Sequence, residues 1–174
     1  GQLRLQSKYN VPICFETDEE IGCYPGAMEM ARRGFFKGHL LSLEGSRALD
    51  EFVAAPGMTD VHITAKGRAC HTGINFMGVN AIEELLPVMN ELMTLKGEVE
   101  ARETPFPAPA MDGYPQGNLR PTFTLSVLRG GEKSNVVPQE CTLIVNRRYT
   151  PDTTHQAAVD EILAAVERGR AKSN

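Results

Sequence analysis

The chain has 174 residues, 41% hydrophobic and 23% charged, enough for one folded domain, or for one small domain and part of another. A net charge of −4 with no basic run argues against nucleic acid as a partner, and no apolar stretch approaches the ~20 residues of a membrane span. Cys14, Cys23, Cys70 and Cys141 form no C-x-x-C pair, which suits reduced thiols in a cytoplasmic protein better than a disulfide framework or a structural zinc site.

The opening GQLRLQSKYN is polar, unlike a secretory signal, and has no initiator Met. It reads like the end of a helix running into a strand, so the chain is expected to begin inside a larger protein. Val11 to Thr17 is a short apolar run, expected to be a buried strand. Pro25 to Arg33 is helix-like, with Ala27, Met28 and Ala31 on one side. After Gly38, HLLSLEG reads as a second short strand ending at Glu44. Strand, helix and strand within ~35 residues make a βαβ-type unit of a parallel sheet. Acidic residues follow both strands, in ETDEEIG (Glu16 to Gly22) and at Glu44, where open α/β sheets build their sites. The adjacent carboxylates of Asp18, Glu19 and Glu20 repel one another unless solvated or paired with a cation. The run is therefore either an exposed turn or half of a site.

The character changes at AAPG, Ala54 to Gly57, taken as a domain boundary that separates residues 1–56 from 57–174. Val61, Ile63 and Ala65 alternate with His62, Thr64 and Lys66, the period of a half-buried strand. A helix follows, with Asn80 and Glu83 at capping-box spacing. Its apolar stripe is Ile82, Leu85, Leu86, Met89, Leu92 and Met93, and Pro87 lies inside it as a candidate kink. TPFPAPAMDGYPQGNLRP is a Pro/Gly-rich loop. TFTLSVL and CTLIVNRRY read as two further strands separated by GGEKSNVVPQE, and Thr153 or Thr154 caps a last helix with the stripe Val159, Ile162, Leu163 and Val166. The order β-α-β-β-α is that of a ferredoxin-like α+β unit without its final strand. The fold class is thus α/β: a partial α/β segment followed by this ferredoxin-like unit.

Four separated motifs, ETDEEIG, KGRACHTGINFMGVNAI, LRGGEKSNVVPQE and NRRYTP, resemble the dinuclear-zinc family of aminoacylases, acetylornithine deacetylases, succinyl-diaminopimelate desuccinylases and glutamate carboxypeptidases. They stand in the family's order, with roughly its spacing, over Val11 to about Pro151. The resemblance implies a slice of a zinc-hydrolase catalytic domain in residues 1–56 and most of a dimerisation lid in 57–174.

It also implies roles. Glu19 would be the general base and Glu20 a zinc ligand; in a turn after a strand two neighbouring carboxylates diverge enough to serve a metal and its water. Asp18 would support them. Glu44 would be a second metal ligand, although Gly45 follows where the family usually has Pro. His71, in ACHTG, would reach from one subunit's lid into the other subunit's site and donate to the oxyanion. Asn135 would contact substrate, the alternative being an Asx-turn. Arg148 would pair with a substrate carboxylate, a task suited to a planar guanidinium; its competitor Arg147 would face the other way and be solvated. Asn146 stands where an acidic residue is common. His39, His62 and His155 are read as surface residues.

The family's remaining metal ligands, an upstream His and Asp and a downstream His, have no counterpart here, so the polypeptide is expected to be an inactive fragment. Its parent would be a cytoplasmic, homodimeric amidohydrolase or metallopeptidase. Two zinc ions, or cobalt or manganese, would serve it, and it would hydrolyse N-acyl amino acids or small peptides with a free carboxylate. The rival readings are a non-catalytic dimerisation module, separable by metal content, and a ferredoxin-like small-molecule-binding domain, which leaves ETDEEIG unused.

Overall fold

In the computed structural model, described for residues 13–15, 25–38, 55–108, 113 and 117–173, the chain divides into two units, Gly1–Glu51 and Phe52–Asn174. In the first unit, helix α1 spans Pro25–Arg32, where the sequence places it. The buried strand expected over Val11 to Thr17 is not borne out at its described residues. Ile13, Cys14 and Phe15 carry no strand assignment, and Ile13 and Phe15 are 76% and 87% exposed. An apolar run becomes a buried strand only when neighbours pair with it, and none of the described residues does so. The second strand, with Glu44, and the acidic run with Asp18, Glu19 and Glu20 lie outside the described residues, as do Cys23 and His39.

The second unit has the order β-α-β-β-α that the hydrophobic periods predict. Strands β1 (Gly57–Lys66), β2 (Thr122–Gly130) and β3 (Glu140–Tyr149) form an antiparallel sheet in the order β1-β3-β2. Helices α2 (Ala81–Glu100) and α3 (His155–Arg170) pack together against the sheet. β3 is central, so Cys141, Leu143, Val145 and Arg147, alternating along one face, are all buried beneath the helices. On β1 and β2 the corresponding positions are mostly half-buried, because among the described residues each has only one strand neighbour. Ser126 marks a bulge in β2 between Leu125 and Val127.

Both helix starts follow the sequence. Asn80 Oδ1 accepts the Ile82 N–H at 3.0 Å, and its amide donates to Glu83 at 2.9 Å, so Glu83 secures the capping side chain itself. Thr154, not Thr153, caps α3 by accepting the Ala157 N–H at 3.1 Å. α2 runs through Pro87 to Glu100; a proline there removes one main-chain donor but not the packing of the helix.

The apolar stripe of α2 divides in two. Ala81, Leu85, Val88, Leu92, Leu95 and Val99 enter the core, while Ile82, Leu86 and Met93 are exposed. The helix is apolar over more of its circumference than the sheet and α3 cover. On α3, Ile162, Ala158, Ala165 and Gly169 are buried and Leu163 is exposed; Gly169 lies against Val88 of α2. Each fully buried leucine or isoleucine in this core contributes about 1.5–3 kcal/mol.

Candidate functional site

Beyond Lys66 and Glu140, β1 and β3 continue as an irregular ribbon that brings His71 and Asn135 together. The Gly67 N–H donates to Gln139 O at 2.8 Å, Val137 N–H to Cys70 O at 2.9 Å, and Thr72 N–H to Asn135 O at 3.0 Å. His71 forms a β-bridge with Val136. The two residues proposed from separate motifs, 64 positions apart in the chain, thus lie on adjoining strands of one ribbon.

His71 also begins a short 3-10 turn, Thr72–Met77, whose Gly73 N–H donates to His71 Nδ1 at 3.0 Å. A nitrogen that accepts carries no proton in the neutral ring, so the ring proton sits on Nε2, which is left as a donor. The imidazole is exposed. The turn behind it is firmly made. Arg68 Nε donates to Met77 O at 2.9 Å, and Arg68 and Val79 exchange main-chain hydrogen bonds at 2.8 and 2.9 Å. At Gly78 a side chain would meet Cys70 Sγ at 2.7 Å and Arg68 O at 2.8 Å, so this crossing requires glycine.

Asn135 is exposed, and its side-chain amide makes no hydrogen bond among the described residues. An Asx-turn would use its oxygen on the Val137 N–H; that N–H goes to Cys70 instead. Of the two readings of Asn135, the turn is therefore not formed.

Arg148 lies elsewhere. It pairs with Met58 and Thr122 near the far end of β3, and its exposed side chain has no hydrogen-bond or ion-pair partner among the described residues. The strand from Glu140 to Arg148 is itself roughly 26 Å long, and Asn135 lies further on. Beside Arg148 on the outer face, Asn146 donates to Asp60 Oδ1 at 2.7 Å, so a carboxylate from β1 stands next to the position where the family commonly has its own.

The expectation that Arg147 is solvated is wrong. It is the largest fully buried side chain, and its Nη2 donates to Glu161 Oε2 at 3.2 Å. Burial pushes its pKa below the usual arginine value, and the Glu161 charge pulls it back up. Strand alternation places consecutive residues on opposite faces, but the sequence does not say which face the helices cover. The signal that finds it is Glu161, nearly two turns into α3. His62 and His155 are exposed as expected, and His155 contacts Tyr149.

Among the described residues no group of three or more His, Cys, Asp or Glu is placed to hold a metal ion. The expected ligands Glu20 and Glu44 and the expected base Glu19 lie outside those residues. Two carboxylates do not complete the four-coordinate shells of two zinc ions, so Glu20 and Glu44 alone do not make a dinuclear centre.

Comparison with known proteins agrees with this topology. Residues 53–173 match the peptidase dimerisation domain family, M20_dimer. Carboxypeptidase G2 of Pseudomonas sp. (strain RS-16) is 25% identical over 166 residues, 90% of this chain and 35% of that protein. A probable carboxypeptidase of Aspergillus clavatus is 34% identical over 109 residues, 61% of this chain and 25% of that protein. The chain thus spans only about a quarter to a third of the length of these relatives. Among solved structures, a protein from methicillin-resistant Staphylococcus aureus described as an aminohydrolase superposes with a TM-score of 0.50 at 18% identity, covering 68% of this chain and 28% of that one, a likeness of fold. With its β-α-β-β-α unit matched over residues 53–173, the chain belongs to the M20 peptidase family through its dimerisation domain.

Proposed function

We propose that this chain is the lid-bearing part of a dimeric M20 hydrolase that cleaves the amide bond of an N-acyl amino acid or small peptide with a free carboxylate. In this reading each active site draws on two lids: Arg148 comes from one subunit, and His71 with Asn135 from the other. One observation carries it. His71 and Asn135 are joined at one end of the sheet, and Arg148 stands at least roughly 26 Å away along β3. No small substrate bridges that distance within one lid, whereas a symmetric pair of lids offers opposite ends to a common site.

The surface for that pairing is supported by the exposed stripe Ile82, Leu86 and Met93 on α2, the exposed Leu128 on β2, and the free edge of β2, which pairs only with β3 among the described residues. Clustered apolar surface beside an open strand edge suits association with a second copy.

The chemistry follows from the side chains. Arg148 holds the substrate carboxylate and so fixes the register of the amide. His71 donates from Nε2 to the carbonyl oxygen as negative charge develops there, an interaction stronger in the transition state than in the ground state. Asn135, with its amide free, binds the substrate beside His71. Glu19 moves the proton to the leaving nitrogen. Zinc, bound by a ligand set that includes Glu20 and Glu44 and is completed from outside this segment, would supply Lewis acidity.

Subunit exchange tests the shared site. His71→Ala and Glu19→Ala, each inactive alone, are mixed in equal amounts in the enzyme that carries this segment. Half the dimers become mixed, each with one site holding Glu19 from one subunit and His71 from the other, so about a quarter of wild-type activity returns. No recovery despite demonstrated exchange rejects the reading.

A further inference from the structure

Arg147 and Arg148 are neighbours on the central strand and leave it on opposite faces. Arg147 is wholly buried beneath α3. Its Nη2 donates to Glu161 at 3.2 Å, and its Nη1 reaches the main-chain oxygen of Arg148 itself at 3.5 Å, the outer limit of a hydrogen bond. Its Nε has no partner among the described residues. Glu161 is held a second time by Arg102, just past the end of α2, at 2.8 Å. One carboxylate on α3 therefore ties together the end of α2 and the end of β3.

Packing alone does not call for this arrangement. An apolar side chain of similar volume fills such a place without the penalty of desolvating a charge, and such replacements are often neutral or stabilising. What the guanidinium adds is direction: it is planar, anchored on one edge by a carboxylate, and in contact on the other with the carbonyl of the next residue. On the outer face the nearby Asp60 carboxylate is engaged by Asn146 rather than by Arg148. The Arg148 side chain has no partner among the described residues, and its cross-strand neighbours Met58 and Thr122 carry no charge.

We propose that Arg147 is a positioning residue for Arg148: the chain Arg102–Glu161–Arg147, half-buried at Arg102 and Glu161 and wholly buried at Arg147, fixes the backbone at the end of β3 so that the Arg148 guanidinium meets the substrate carboxylate. This rests on the reading of Arg148 as the carboxylate-binding group. Arg147→Met is a mild change, because Glu161 keeps Arg102 and no unpaired charge is left behind.

The test uses the enzyme that carries this segment, with one substrate bearing a free carboxylate and the same substrate capped as an amide. Arg148→Ala must raise KM for the first and not for the second; if it does not, the reading of Arg148 fails and the proposal falls with it. Given that result, Arg147→Met is expected to raise KM for the carboxylate substrate by about ten- to a hundredfold, the scale of a misplaced contact. The amide substrate, kcat and the thermal midpoint should stay near wild type. A folded Arg147→Met enzyme with unchanged KM for the carboxylate substrate, or with equal losses on both substrates, overturns the proposal. Should that variant fail to fold, Arg147→Lys keeps the charge beside Glu161 and loses the second donor arm, and the same carboxylate-specific rise in KM decides the matter.

Discussion

Gly169 of α3 lies against the backbone of Val88 in α2, so close that a Cβ at position 169 would stand 2.7 Å from the Val88 nitrogen and nearer still to its Cα. The atoms in the way are main chain and have no rotamer to escape into. Gly169→Ala gains up to about 1 kcal/mol of helix propensity, but it forces the two helices apart and loses about 1–3 kcal/mol or more of packing. The net expectation is a lower midpoint in urea at an unchanged denaturant slope. An equal or higher midpoint would mean that the crossing is looser than it stands here.

Glu91 of α2 is straddled by Arg168 at 2.9 Å, in the last turn of α3, and by Lys172 at 2.6 Å, just beyond its end. The hydrogen bonds from Lys172 and Arg168 hold its pKa below the usual glutamate value, against a smaller opposing effect of burial. A depressed pKa in the folded state means that the unfolded chain binds the proton more readily. The stabilisation is therefore fully present above the unfolded value, near 4.3, and is lost as pH falls through the lower folded value. Glu91→Gln is expected to be less stable than wild type at neutral pH, with the difference closing in acid below about pH 4. Denaturation curves across that range read it directly.

The pattern of legibility follows from which interactions are local. Asn80 and Thr154 were readable because a cap needs only a residue type at a fixed distance from the helix it starts. The alternation of β1 was readable for the same kind of reason. The division of the α2 stripe was not: Leu85 and Leu86 are equally apolar, and only the placement of the sheet and α3 separates the buried residue from the exposed one. Gly169 carries no such signal, because a close helix crossing is marked by small size, not by hydrophobicity. At the candidate site, motif resemblance points to His71, Asn135 and Arg148 but does not show that the first two share a ribbon while the third lies at the far end of the sheet. The burial of Arg147 is not legible in its own strand because its partner Glu161 comes from another element.

The exposed stripe of α2 makes its own demand. Ile82, Leu86 and Met93 recur at helical spacing on one side, and Leu86 is 48% exposed, so a charge there is tolerated by the isolated fold. Leu86→Glu is expected to leave the circular dichroism spectrum unchanged while shifting the chain from dimer to monomer in sedimentation velocity. A wild-type chain that stays monomeric at high concentration, or a dimer indifferent to the substitution, would remove this face from consideration as the interface.

In the proposed mechanism His71 has two separable jobs. Through Nδ1 it accepts the Gly73 N–H and caps the 3-10 turn; through Nε2 it is free to donate. His71→Ala removes both, so a loss of activity in that variant alone would not tell a misfolded turn from a missing donor. Asparagine separates them. Its side-chain oxygen takes the place of Nδ1 as acceptor for Gly73, and its short amide falls short of the position of Nε2. In the enzyme that carries this segment, His71→Asn is therefore expected to keep wild-type stability and dimerisation while lowering kcat by about a hundred- to a thousandfold, the scale for losing one oxyanion donor. KM should change far less, because the interaction belongs to the transition state. Metal content should stay at the wild-type value, since His71 is assigned no ligand role. If His71→Asn instead turns over at nearly the wild-type rate while His71→Ala does not, the residue matters as the cap of its turn and the oxyanion assignment is wrong.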